Sequence, residues 1–335
     1  MKETIFITGA TGHLGSNLVS FLARKKTRIK LLFRKNSNHP FLNKLKFEKV
    51  EGDLLDEDSL MKGMRGCNTV IHCAGFVSYK KKDHKKLREI NYKGTKNVID
   101  AAFKNRVRVF VHISSTAAIG LTRNPYEPLT EKAVFKKSYQ GIGYMYTKYL
   151  AEQYVLGFKN RMKVIILNPS TIIGKGDNHL NTAEVFINLK QGRLKQATPG
   201  GNAFVDVEDV VSSIALALKR GRSGERYIIS SFNIPFLQFF NYINSYLKRE
   251  PIKTILPFFT YYLIYPVSFI LEFFSNILKI SLPITSELMK ISYAFRYFDS
   301  TKARRDLGWE PEKRFDVSIK QAIQFYSQYI PRWKR

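Results

Sequence analysis

Cysteine is nearly absent: two in 335 residues, at positions 67 and 73. They form neither a CxxC pair nor part of a histidine pattern, which argues against a disulfide framework or a structural zinc site and favours a reducing, cytoplasmic setting. No metal site is expected. Acidic residues are also scarce, 27 Asp+Glu against 55 Lys+Arg, leaving a net charge of +28. A field of that sign attracts anions, among them phosphorylated cofactors, nucleic acid and acidic membrane surfaces. No basic segment with a long apolar run precedes the first strand-like stretch, so no signal peptide is expected. Internal repeats and low-complexity tracts are lacking. The 44% hydrophobic and 13% aromatic content is that of an ordinary globular chain, long enough for about two domains.

What is present is alternation. Residues 4–8, 29–33, 47–52, 69–74, 107–114 and 163–168 are short runs rich in Val, Ile and Phe, mostly continuous rather than alternating, as for strands buried on both faces. Between them, 14–26, 56–65, 84–104, 141–159 and 208–220 carry helical patterns. This order predicts an α/β fold: a Rossmann-type doubly wound parallel sheet, with a smaller, mostly helical C-terminal domain for substrate.

The pattern changes after residue 232. "TILPFFTYYLIYPVSFIL" (254–271) has 18 residues without a charge, broken by Pro257 and Pro266 and ended by Glu272. Three readings apply to 254–278: a buried helical part of the substrate domain, an apolar surface in a membrane interface or lipophilic pocket, and a spanning helix. Lys248, Arg249, Lys253 and Lys279 flank it and suit an anionic surface or water equally.

"TGATGHLG" (8–15) sits between the first strand and first helix. Gly9 permits a tight turn, Gly12 lets backbone approach a pyrophosphate, and Gly15 lets helix and sheet pack closely, with the helix dipole favouring the anion. The second strand ends in "LLFRKNSN", placing Arg34 and Lys35 where an acidic residue would accept ribose hydroxyls. Two cations suit a 2′-phosphate, so NADP(H) is the preferred cofactor, with NAD(H) as the alternative. Asp53 in "EGDLLD" is placed to meet the adenine amine, and the small residues of "HCAG" (72–75), Ala74 among them, leave room for the cofactor.

Two tyrosines precede a lysine by four residues: Tyr92–Lys96 and Tyr144–Lys148. With 18 tyrosines and 35 lysines, chance alone supplies roughly two such pairs, so spacing carries no information and position must decide. Tyr92 belongs to a helix whose apolar positions pack on the sheet. Tyr144 opens the helix after the fifth strand, whose carboxyl end carries the hydroxyls of "ISSTAAIG" (113–120), and ligands bind beyond such ends. Lys148, one turn on, shares its face. A nearby ammonium and an oxidised nicotinamide would lower the phenol pKa from its usual value near 10. Tyr144 could then exchange a proton with substrate, while Ser115 stabilises charge on the substrate oxygen.

The chain resembles the extended short-chain dehydrogenase/reductases, the superfamily of nucleotide-sugar epimerases, dihydroflavonol reductases and 3β-hydroxysteroid dehydrogenases. "TGATGHLG", "GDLLD", "VIHCAG", "NYKGTKNVIDAA", "ISSTAAIG", "YMYTKYLAE", "LNPSTIIGKGD", "FVDVEDVV" and "DSTKARRDLGWEP" carry the resemblance, across 4–230 and 298–312. It implies Tyr144 as general acid/base, Lys148 on the nicotinamide ribose, Ser115 as third catalytic residue (Ser114 and Thr116 remain alternatives), and Pro169 beside the nicotinamide. Asn91 is expected to be structural or to order the site. Cofactor contacts are expected from Gly9, Thr11, Gly12, His13, Leu14, Gly15, Arg34, Lys35, Asp53, Leu54, Ala74, Tyr144, Lys148 and Pro169. Residues 1–170 would form the cofactor-binding core, with 203–230 returning to it, and 171–202 with 231–335 the substrate region.

Thr116 and Ala117 follow Ser115 where sugar dehydratases carry an acidic pair, so elimination lacks its acid and base. The apolar 254–278 stretch suits the dihydroflavonol/hydroxysteroid branch. The expected function is an NADP(H)-dependent ketone/alcohol oxidoreductase on a lipophilic substrate, cytoplasmic or peripheral at an anionic membrane. The alternatives are a nucleotide-sugar epimerase/reductase and a non-catalytic NADP-sensing regulator. The basic run "YKKKDHKK" (79–86) has no interleaved stacking aromatics beyond Tyr79, so no nucleic-acid partner is expected. A homodimer stays open.

Overall fold

The computed structural model describes residues 3–25, 27–35, 37, 42–177, 182–277 and 285–334. Leu278 and Lys279, at the end of the apolar segment and in its flank, lie outside them. Among the described residues, eleven strands form two sheets: β1 (Thr4–Thr8), β2 (Arg28–Phe33), β3 (Glu48–Glu51), β4 (Thr69–His72), β5 (Val109–Ile113), β6 (Lys163–Pro169), β7 (Thr171–Ile173), β8 (Gly201–Asp206), β9 (Glu225–Ile229), β10 (Phe232–Pro235) and β11 (Phe295–Arg296). The large sheet runs β3-β2-β1-β4-β5-β6-β9, every neighbouring pair parallel. Its central strands are buried along their length, whereas the edge strand β3 alternates partly covered and exposed residues. That difference is why most strands read as continuous apolar runs and 47–52 does not.

Helices cover both faces. On one, Leu14, Leu18 and Val19 of helix His13–Leu22 pack with Val210, Val211 and Ile214 of helix Val207–Arg220; on the other, Leu60, Val98, Ile99 and Val155 meet Phe6, Phe110 and Ile166. Strand order reverses between β1 and β4, so their carboxyl ends open a crevice at the switch point. The smaller sheet is built on β8, with β10 antiparallel to it and β7 and β11 parallel. It anchors a second core of Phe186, Phe204, Phe239, Phe315 and Tyr326. The chain's return at 298–313 locks onto helix Val207–Arg220: Trp309 is fully buried and donates Nε1 to the Asp209 carbonyl at 2.9 Å, while Asp209 Oδ1 accepts from Glu312 N at 3.0 Å.

Two expectations change. Residues 84–104 are not one regular helix but helical turns 84–87 and 95–104 joined by a π-helical turn, Arg88–Gly94. Pro266 does not interrupt the apolar helix, which runs Thr260–Ile277 with Pro266 inside it. Nor is that helix core: Tyr262 is 74% exposed, Leu263 63% and Ile270 55%. Among the described residues no helix is long and apolar enough to cross a membrane.

Candidate active site

The crevice is built at its floor by the turn after β1. Gly9 has φ +73°, and a Cβ there would lie 2.5 Å from Ala74 N at the end of β4; a Cβ on Gly15 would lie 2.0 Å from the Gly9 carbonyl oxygen. Only glycine fits either place. Gly12 caps helix His13–Leu22 without a side-chain cap bond, and its N–H donates to the Gly9 carbonyl at 3.0 Å. The first-turn amides therefore keep their donors directed beyond the helix, and Thr11 is partly exposed beside them. This is a cradle that fits a pyrophosphate. His13 and Leu14 face inward and are buried; burial pushes the His13 pKa down, with Asp177 opposing.

Arg34 and Lys35 stand exposed just past β2. Asp53 is partly covered after β3, its Oδ1 accepting from Leu55 N at 2.9 Å, and the Leu54 carbonyl accepts from Asn97 Nδ2 at 3.1 Å. Pro169 ends β6, buried. These residues therefore ring the carboxyl ends of β1, β2, β3, β4 and β6.

The chemistry-bearing side chains gather beyond β5. Helix Gly143–Leu156 presents Tyr144 and Lys148 one turn apart, both buried. Lys148 Nζ donates to the Ile113 carbonyl at 3.0 Å, which ties it to the end of β5. Ser115 lies close enough to Tyr144 to hold its pKa down, and its hydroxyl accepts from Ala117 N at 3.1 Å. Of the three adjacent hydroxyls, Ser114 and Thr116 are buried whereas Ser115 is half-buried and meets Tyr144. Tyr92–Lys96 lies elsewhere: Lys96 pairs with Asp100 at 2.8 Å and Tyr92 packs edge-on against Tyr154.

Burial governs the electrostatics at Tyr144. Burial pushes its pKa well up, and Tyr79 adds to the rise, while Ser115 and Arg296 oppose it. The expected lowering of the phenol pKa therefore rests on the charge an oxidised nicotinamide would bring. Lys148 itself is lowered to about 8 by burial, with Glu152 opposing. Both shifts arise from desolvation, which disfavours whichever form is charged.

Tyr79, Arg296, Glu152 and Asn168 went unread as site residues in the sequence, whereas Asn91 was expected to order the site. The Tyr79 ring packs edge-on to Tyr144 at 5.7 Å, and Arg296, 217 positions away in sequence, donates to Tyr79 Oη at 3.4 Å. Only the tyrosine heading the basic run hinted at the first. Asn91, in the π turn, accepts from Phe76 N at 2.8 Å and donates to its carbonyl at 2.9 Å, pinning the strand exit beside Lys148; such turns recur at functional sites. Glu152 and Asn168 pair behind Lys148.

Comparison with known proteins agrees with this geometry. Residues 5–230 match the model of the NAD dependent epimerase/dehydratase family. Sterol demethylase protein B of Methylococcus capsulatus is 33% identical over 229 residues, covering 68% of this chain and 69% of the relative. A putative dihydroflavonol 4-reductase of Synechocystis is 28% identical, covering 98% of this chain and 96% of that protein. The crystal structure of gox2253 superposes with a TM-score of 0.84 at 29% identity, covering 98% of this chain and 99% of that one. The chain thus belongs to the NAD dependent epimerase/dehydratase family and is an NAD(P)-dependent enzyme of the extended short-chain dehydrogenase/reductase type.

Proposed function

We propose that the protein is an NADP(H)-dependent oxidoreductase that interconverts a ketone and a secondary alcohol on a lipophilic substrate. The observation that carries this reading is the placement of Tyr144 beside Ser115 at the carboxyl end of β5, with Lys148 one turn on and tied to the Ile113 carbonyl at 3.0 Å. The nicotinamide would supply or accept the hydride. In the reducing direction Tyr144 gives its proton to the carbonyl oxygen, and in the oxidising direction it takes the alcohol proton. Its buried, raised pKa keeps it a proton carrier at neutral pH until nearby positive charge favours the phenolate. Ser115 donates to the substrate oxygen as charge builds there. Lys148 would hold the ribose, and Arg34 with Lys35 the 2′-phosphate.

The similarity to a sterol demethylase component and a dihydroflavonol reductase supports a flat, apolar substrate, as does the aromatic wall that Tyr79 gives Tyr144. No acidic pair follows Ser115 to support elimination.

The test is a pair of variants assayed by NADPH oxidation with steroid and flavonoid ketones. Tyr144→Phe should cut turnover by about 10²–10⁴-fold, the range for a lost proton donor, with NADPH affinity unchanged, while Tyr92→Phe keeps activity. An inactive Tyr92→Phe beside an active Tyr144→Phe would overturn the assignment. Epimerisation of a nucleotide sugar, with no turnover of any ketone, would overturn the substrate class.

A further inference from the structure

Helix Thr260–Ile277 is turned inside out. Its covered positions include Ser268 and Glu272, while Tyr262, Leu263, Val267 and Ile270 face outward, with Phe259 exposed just ahead of the helix. The four helical side chains form one apolar stripe along it. On the covered side, Glu272 accepts from Ser286 Oγ at 2.5 Å and pairs with Lys81 at 3.4 Å. A carboxylate therefore points inward to fixed partners, and the aromatic and aliphatic side chains point away. Exposed apolar patches of this extent mark interaction surfaces.

Cations frame the stripe. Lys81 Nζ lies 3.7 Å from the centre of the Phe269 ring, and Lys290 Nζ 5.4 Å from that of Tyr265. Just ahead of the helix, Lys195, Lys248, Arg249 and Lys253 line one cleft, and the exposed side chains of Ile255 and Phe258 follow. Charge chooses between the two occupants that fit an apolar face. A second copy would bring a further +28 against this one, whereas anionic headgroups neutralise it while acyl chains receive the stripe.

We propose that the outward face of helix Thr260–Ile277 docks the protein on the surface of an anionic lipid bilayer, lying in the interface rather than crossing it. The covered face of the helix connects to the proposed catalytic tyrosine through Glu272 and Ser286: the neighbouring Thr285 Oγ1 donates to the Tyr79 carbonyl at 2.5 Å, and Tyr79 packs on Tyr144. If the substrate is lipophilic, as proposed above, docking sets the site beside its source; docking itself does not depend on that reading.

The experiment is sedimentation of the full chain with vesicles of phosphatidylcholine alone or mixed with phosphatidylglycerol, at low and high salt. The wild type should bind the mixed vesicles, release partly at high salt, and bind neutral ones weakly. Leu263→Gln combined with Ile270→Gln leaves net charge unchanged and should weaken binding by about tenfold, with NADPH titration confirming an intact fold. No binding to mixed vesicles, or equal binding by the double variant, overturns the proposal. So does light scattering that shows a wild-type dimer dissociated by the double variant. Retained docking with no ketone turnover would sink the substrate reading and leave the docking standing.

Discussion

Glu152 follows Lys148 by one helical turn, fully buried, and is ion-paired to the Arg226 guanidinium at 3.2 Å. Its other carboxylate oxygen accepts from Asn168 Nδ2, an amide that also donates to the Ser115 carbonyl at 2.9 Å. A buried charge pair thus sits directly behind the proposed ribose lysine and the proposed catalytic serine.

The first prediction follows from that pair. Burial lowers Lys148 to about 8, and Glu152 is the leading influence holding it up. NADPH affinity should therefore fall as pH rises through about 8, where the ammonium is lost. Glu152→Gln removes the supporting charge and should move that break to lower pH. Titrating NADPH binding across pH for both proteins checks it; identical profiles would remove Glu152 from this role. The variant should also be less stable by about 3 kcal/mol, because Arg226 is left half-buried without its partner.

The second prediction concerns cofactor choice. Arg34 and Lys35 are exposed past β2, free to close on a phosphate. Charge-assisted hydrogen bonds are each worth roughly 1.5–3 kcal/mol, so Arg34→Ala with Lys35→Ala should weaken NADPH by at least about tenfold and leave NADH nearly unchanged. Fluorescence titration of both dinucleotides decides; equal losses for both would mean the two cations serve general attraction only.

Much of this site was legible because its parts are local. A glycine turn between strand and helix, hydroxyls at a strand end, and a tyrosine opening the next helix are each contained within a few residues. What stayed hidden is set by tertiary contact. Arg296 reaches Tyr79 across 217 positions, and no periodicity announces that. The π turn at Arg88–Gly94 has an apolar pattern close enough to an ordinary helix to pass as one. Hydropathy marked 254–271 as apolar, but which face is covered depends on Glu272 finding Ser286 and Lys81. The setting of the phenol is likewise tertiary: Lys148 donates to the Ile113 carbonyl and burial dominates at Tyr144, so the expected lowering rests on the charge an oxidised nicotinamide would bring.

The third prediction is of acid sensitivity. His72 is buried between the hydroxyls of Thr8, 2.6 Å from Nδ1, and Thr95, 2.9 Å from Nε2. Burial lowers its pKa to about 3. Because the folded value lies below the unfolded one near 6.5, the unfolded chain binds the extra proton first. Stability is then fully present above pH about 6.5 and is lost as pH falls towards 3, on the order of 5 kcal/mol over that window. His112, stacked on His72 at 5.4 Å and also lowered, works in the same direction. Urea unfolding from pH 7 to pH 4 should show the decline, and His72→Gln should flatten part of it.

The last prediction concerns how the catalytic helix is seated. Glu287 is buried; one carboxylate oxygen accepts from Gly143 N at 3.2 Å, at the first residue of the helix, and the other pairs with His84. An anion at a helix N-terminus is favourable by roughly 0.3–2 kcal/mol, and here it is one residue before Tyr144. Glu287→Gln should therefore lower kcat by roughly three- to tenfold while NADPH affinity holds, because Tyr144 is displaced and the glycine cradle is not. The hydrogen bond to Glu287 raises the His84 pKa, so the pair's stabilisation is fully present below pH about 6.5 and is lost as pH rises through the raised value. Thermal unfolding of the wild type should weaken on that alkaline side, and Glu287→Gln should remove the dependence. A variant with unchanged kcat and an unchanged pH profile would show that Gly143 is seated by packing alone.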